Sequence, residues 1–309
     1  MSDSIASSSE EESPITTEAR ASQRGDRKIN QDRCEIFTHK NIKVLVLADG
    51  MGGHPKGEVA AQILVDTTYH LLNNVSEDNF DINTFINNVF NTAHRQIINY
   101  GLKKKPQIHP RTTAVIVVIQ DDQMVWSHLG DSRTYLFRHG RAHMRTLDHT
   151  RVEHLRLSGQ IEDSDSQSLA SGRSGVSRCL GGLKKMHSIE ITPPIQLQDG
   201  DLIMMCSDGV WSQLQATELE ASMITKSIPL TDRINNLINK AVEAGSPNSD
   251  NATALALCWH SKEQRQKPRT SHNKDASLKA DADSNKENQA DNDVDSAIDL
   301  LRGLIDKYQ

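Results

Sequence analysis

The sequence predicts an α+β layered domain, with antiparallel sheets and helices packed outside them. Short runs rich in Val, Ile and Leu follow one another as consecutive hairpins do. Turn residues, Asp121-Asp122 and His139-Gly140, separate neighbouring runs. Much longer stretches with apolar residues at three-and-four spacing interrupt the hairpins and read as helices.

In chain order, strands are expected at 34–38, 42–48, 112–120, 123–129, 133–138, 201–206 and 252–258. Many of these runs are bounded by Gly or Asp. Helices are expected at about 57–73, 82–104, 148–158, 215–223 and 230–244. In 57–73, Val59, Ile63, Leu64 and Leu71 share one face. There is no internal repeat.

Residues 1–13 are polar and acidic and read as disordered, and the folding signals fill 14–260. Residues 261–292 have almost no large apolar side chains and read as a disordered linker, because little burial is available to offset ordering entropy. Residues 293–309 differ. Val294, Ala297, Ile298, Leu301, Leu304, Ile305 and Tyr308 recur at helical spacing, giving a short amphipathic helix on a tether. Such a helix docks either on its own domain or in the groove of a partner.

A net charge of -6 argues against nucleic acid and anionic membrane as partners. No apolar run approaches the roughly 18 residues of a membrane span. The N-terminus MSDSIASSSEEES is the opposite of a signal peptide. Cys34, Cys179, Cys206 and Cys258 are scattered without CxxC spacing, as for reduced thiols in a reducing compartment. The expected address is cytoplasmic.

Five acids stand at strand edges: Asp32, Asp49, Asp131, Asp208 and Asp250. Three adjoin glycine, in Asp49-Gly50, Gly130-Asp131 and Asp208-Gly209. A lone Asp-Gly is ordinarily a turn. Carboxylates gathered at one sheet edge, however, repel unless a cation neutralises them. Oxygen-only ligands suit Mg²⁺ or Mn²⁺. Glycine admits close backbone approach and leaves its carbonyl as a further ligand.

The ordered series is more specific than any one acid. RxxxxD at Arg27 to Asp32, DGMGGH at 49–54, TTA at 112–114, HLGDSR at 128–133, SRCLGG at 177–182, SDG at 207–209 and DNAT at 250–253 occur in that order. Together they resemble the bacterial metal-dependent protein phosphatases of type 2C, over about residues 15 to 260. The resemblance implies a four-layer α-β-β-α sandwich of two antiparallel sheets flanked by helices. It implies hydrolysis of phosphoserine and phosphothreonine by direct attack of a metal-bridging hydroxide, with two Mn²⁺ or Mg²⁺ ions as cofactors. The implied partners are a phosphoprotein substrate and a cognate Ser/Thr kinase pathway that the enzyme opposes in signal transduction. The chain is expected to be a monomer.

Role by role, the resemblance implies that Asp49 bridges both metals and that the Gly50 carbonyl binds one of them. Asp208 and Asp250 bind the first metal, and Asp32 serves the second, directly or through waters. Asp131, with Asp208, forms a third, weaker site. Arg27 holds the substrate phosphate, matching its planar fork to the dianion. His54 is placed to protonate the leaving alkoxide. His128 and His149 read as structural, Arg133 as an ion-pair partner, and Thr113 as a hydrogen-bonding support for the ligating carboxylates.

The chain departs from the pattern twice. Gln31 stands where many members have Glu, and Arg111 stands where Gly commonly precedes Thr-Thr, altering packing or adding positive charge near the site. Residues 159–176 match the family's flap, and their Ser, Gly and acid content suits a flexible loop. Two other functions stay open: a degenerate domain acting as a binding module, and a hydrolase of small phosphomonoesters.

Overall fold

The computed structural model describes residues 17–76, 80–161, 175–182, 185–225 and 227–260. The N-terminal tail, the linker, the C-terminal helix and most of 159–176 lie outside the described residues.

Two five-stranded antiparallel sheets form the centre. The first runs β1 (Glu18–Gln23), β12 (Ala252–Cys258), β11 (Leu202–Cys206), β7 (Arg133–Arg138), β8 (Arg141–Arg145). The second runs β10 (Ile195–Gln196), β6 (Gln123–Leu129), β5 (Ala114–Gln120), β3 (Ile42–Asp49), β2 (Asp32–His39). A small ribbon pairs β4 (Arg111–Thr112) with β9 (Leu180–Gly181). The helices are α1 (Gly57–Asn73), α2 (Ile82–Lys103), α3 (Arg151–Leu157), α4 (Asp208–Trp211), α5 (Ala216–Ile224) and α6 (Leu230–Gly245).

The two-residue period of a strand creates the layers. In β3, Val44, Val46 and Ala48 pack with Ala60, Ala61 and Leu64 of α1 and Phe90 and Ile97 of α2. The alternate residues Leu45 and Leu47 share a second cluster with Ile203 and Met205 of β11 and Leu255 and Leu257 of β12. The opposite faces of β11 and β12, with Met204, Cys206, Ala254 and Ala256, meet Ile234, Leu237 and Ile238 of α6. The chain is therefore a four-layer α-β-β-α sandwich. Each fully buried Leu or Ile contributes about 1.5–3 kcal/mol, which makes the central strands rigid supports for what stands at their ends.

The predicted turns take left-handed backbone, with φ of 48° and 60° at Asp121 and Asp122 and 50° and 73° at His139 and Gly140. That twist matches the flanking strands. Three expectations need correction. The run 112–120 breaks at Thr113, whose N–H donates to the Asp49 carbonyl at 2.8 Å instead of staying in the ladder. The helix expected from 148 starts at Arg151, because the Thr150 hydroxyl caps it by accepting the Glu153 N–H. Strands β1 and β8 were not anticipated. EARASQ and RAHMR lack β-branched and aromatic residues, and both are edge strands paired on one side only.

Among the described residues no helix is long and apolar enough to cross a membrane. All four cysteines are free thiols.

Candidate active site

The antiparallel register of β2 and β3 sets Asp32 directly opposite Asp49. Like charges in such a pair are unfavourable. In the first sheet, β11 ends and β12 begins side by side, with Ser207 N–H donating to the Thr253 carbonyl at 3.0 Å. Asp208 therefore follows one strand and Asp250 precedes its neighbour. Asp131 lies where the chain crosses from β6 of one sheet to β7 of the other. Five strand-edge acids thus reach one end of the sandwich.

Their charges act on one another. Burial, then Asp208, pushes the Asp32 carboxyl up to about 7, against hydrogen bonds from Ser207 and Thr253. Burial and the charges of Asp32, Asp208 and Asp131 hold Asp49 well above the usual carboxylate range. Burial and Asp208 push Asp131 up to about 8. Burial and Asp250 raise Asp208. Asp32 and Asp131 are buried, whereas Asp49 and Asp208 keep some surface open at the mouth of the cluster.

The supports are specific. Ser207 Oγ donates to Asp32 Oδ2 at 2.7 Å, while Asp32 Oδ1 is buried with no hydrogen-bond partner. Thr113 Oγ1 accepts the Asp49 N–H at 2.9 Å and contacts Ser132 Oγ at 2.8 Å, so it braces the backbone of Asp49 and not a carboxylate. Trp211 Nε1 donates to the Asp131 carbonyl at 2.9 Å. At Gly50 an added Cβ would lie 2.4 Å from the Gly57 backbone, so only glycine lets the turn after β3 pass the start of α1.

Arg27, in the loop between β1 and β2, donates to Asp250 Oδ2 at 2.5 Å and is half exposed. Its charge also reaches Asp208. Asn251 staples that loop to β12, donating to the Arg24 and Ile29 carbonyls and accepting the Gln31 N–H at 2.8 Å. His54 lies in the loop between β3 and α1, where its backbone N–H donates to the Met51 carbonyl at 3.4 Å. Burial and then Arg111 lower its pKa, and its Nδ1 is buried with no hydrogen-bond partner. Gln31 Nε2 donates to Glu58 Oε2 at 3.2 Å. Sequence reasoning gave no role to Ser207 or Asn251, although both sit inside the quoted SDG and DNAT strings.

Residues read as structural take such positions. His128 and His149 stack at 4.4 Å with ring planes 6° apart. Gly130 N–H donates to His149 Nδ1, and His128 Nε2 donates to the Leu147 carbonyl. Arg133 grips Asp148 with two bonds, at 2.8 and 2.7 Å.

The donor set fits divalent cations. It is all oxygen, its charges repel, and one carboxylate oxygen is buried without a partner. As they stand, no three His, Cys, Asp or Glu side chains among the described residues are arranged around one ion. The carboxylates act on each other instead, with Asp32, Asp208 and Asp131 all raising the pKa of Asp49. Buried carboxylates that repel one another favour a proton on one of them. A cation replaces that proton without adding a side chain.

Residues 21–242 match the family model described as Protein phosphatase 2C. The chain is 28% identical over 238 residues to the serine/threonine phosphatase stp of Listeria welshimeri, covering 75% of this chain and 90% of that one. The crystal structure of the Mycobacterium tuberculosis serine/threonine phosphatase PstP/Ppp superimposes with a TM-score of 0.67 at 26% identity, covering 79% of this chain and 98% of that one. The catalytic domain of the phosphatase PstP in complex with 2 manganese ions gives 0.64 at 26% identity, covering 78% and 97%.

Proposed function

The chain belongs to the protein phosphatase 2C family, and on that premise we propose that it is a metal-dependent protein serine/threonine phosphatase. The observation that supports this most is the acid cluster, five carboxylates with Arg27 as the one cation among the described residues in contact with them, so that charge is left to be neutralised. Asp49 would be the central ligand, opposite Asp32 in the strand register and within the fields of Asp208 and Asp131. Asp208 and Asp250 would hold one ion, Asp32 the other, and Asp131 with Asp208 a weaker third. The Gly50 carbonyl completes the set. Two bound Mn²⁺ or Mg²⁺ ions supply the Lewis acidity that lowers the pKa of water and offsets charge on phosphoryl oxygens.

The protein's own groups do the rest. Arg27 releases Asp250 and grips the phosphate dianion in its planar fork, orienting phosphorus toward the acids. His54 delivers a proton to the leaving serine or threonine oxygen, a poor leaving group without it. Its lowered pKa works against that role in the free protein. A bound dianion favours the protonated ring and offsets the deficit. We further propose that the enzyme acts as a cytoplasmic monomer opposing a Ser/Thr kinase, and that residues 293–309 dock on a partner and raise its local concentration.

One substrate pair tests this reading. A phosphothreonine protein should be turned over with kcat/KM at least about tenfold above p-nitrophenyl phosphate, because remote contacts lower the barrier only for the protein. Removing 262–309 should slow the protein reaction and spare the small ester. Preference for the ester would favour a small phosphomonoesterase, and equal loss on both would make the tail part of the domain.

A further inference from the structure

Arg111 is a cation at the rim of the site that the roles above leave unused. Its main chain is fixed on both sides. The Met51 N–H donates to its carbonyl at 3.0 Å, and the residue pairs with Gly181 in the β4–β9 ribbon. The side chain lies across Gly182. A Cβ there would sit 2.4 Å from Nε and 3.0 Å from Cζ, and Gly182 has φ +72°. The seat is therefore one that a bare glycine provides. Arg111 Nε is buried with no hydrogen-bond partner, and among the described residues no carboxylate pairs with the guanidinium. An arginine so held keeps its two terminal nitrogens, the end of its planar fork, unspent.

Its position differs from that of Arg27. Arg27 contacts Asp250 and acts on Asp208, inside the acid cluster. The field of Arg111 falls on His54 and on Cys179. The phosphoryl group belongs with Arg27 and the acids. On the phosphatase reading His54 meets the leaving serine or threonine oxygen, so a cation beside it faces the peptide on either side of the phosphorylated residue.

We propose that Arg111 is a specificity-determining residue that binds a carboxylate of an acidic side chain flanking the phosphoserine or phosphothreonine. This rests on the phosphatase reading. A carboxylate is the planar, bidentate match for the fork, and its charge is absent from a small ester.

The test uses the full chain with Mn²⁺ and paired phosphothreonine peptides, with Asp and Glu or Asn and Gln at the two positions on each side of the phosphate. Wild type should favour the acidic peptide by about fivefold to tenfold in kcat/KM, mainly through KM. Arg111→Gln should bring that ratio to near one, and Arg111→Lys should keep part of it. The loss on p-nitrophenyl phosphate should be much smaller than on the acidic peptide. An unchanged ratio in Arg111→Gln overturns the proposal, as does equal loss on all three substrates. If no substrate is turned over, the phosphatase reading fails. Peptide affinities by fluorescence anisotropy, wild type against Arg111→Gln, then decide the Arg111 assignment separately.

Discussion

Asp49 shows what a single residue reveals. An acid ending an apolar run, followed by Gly50, Gly52 and Gly53, was readable because buried strands do not end on a carboxylate without use for it. Its companions were readable by the same sign. The bonds that aim them were not. Ser207 on Asp32, and Asn251 across 24–31, join residues some 200 positions apart, and sequence spacing carries no such information. Nor could the sequence say whether Arg111 repacks the site or charges it. Its seat on Gly182 and its effect on His54 answer that. For His54 the expected outcome is specific. His54→Gln should lower kcat on a phosphothreonine peptide by about 100-fold, the lower range for a general acid. On p-nitrophenyl phosphate the loss should be slight, since that leaving group needs no proton. Equal losses, followed by phosphate release, would remove His54 from the acid role.

The central strands and long helices were legible because burial on one or both faces imposes a strict period. Edge strands β1 and β8 escaped because an edge tolerates Arg, Ser and Gln. The break at Thr113 escaped because a hydrogen bond to another strand causes it. The link from β7 to α4 is an element-scale device. Arg133 pairs with Asp148 and lies 3.5 Å over the Trp211 ring, and Trp211 in turn holds the Asp131 carbonyl. The pair is largely buried, with side-chain exposures of 16% and 5%. Arg133→Ala leaves Asp148 with only the longer contact to Arg145, at 3.8 Å, and should cost about 3 kcal/mol in urea unfolding. Adding Asp148→Asn should recover part of it. A change under about 0.5 kcal/mol would mark the pair as incidental.

At the scale of the molecule, two sheets place the ends of their strands together, and five acids meet there. The sandwich itself was foreshadowed only as layers, and its four-layer form came with the family resemblance. The collected charge has a consequence for stability. Folding raises the pKa of Asp32 to about 7 and of Asp131 to about 8, against roughly 3.9 for an unfolded Asp. Groups raised on folding favour the folded state at low pH, and that contribution is lost as pH climbs from about 4 through 8. In EDTA the melting temperature should therefore fall between pH 5.5 and 8. Mn²⁺ should raise it more at pH 8 than at 5.5, because ligation needs deprotonated carboxylates. An equal Mn²⁺ effect at both pH values would place the binding elsewhere.

The central claim is that this acid cluster holds the ions that make the chain a phosphatase. Phosphate release from a phosphothreonine peptide, with Mn²⁺ or with EDTA, for wild type and Asp208→Ala side by side, tests it most directly. The account predicts turnover with Mn²⁺, none in EDTA, and a rate at least about 100-fold lower in a folded Asp208→Ala. Turnover that survives EDTA, or a folded Asp208→Ala protein as fast as wild type, would contradict it.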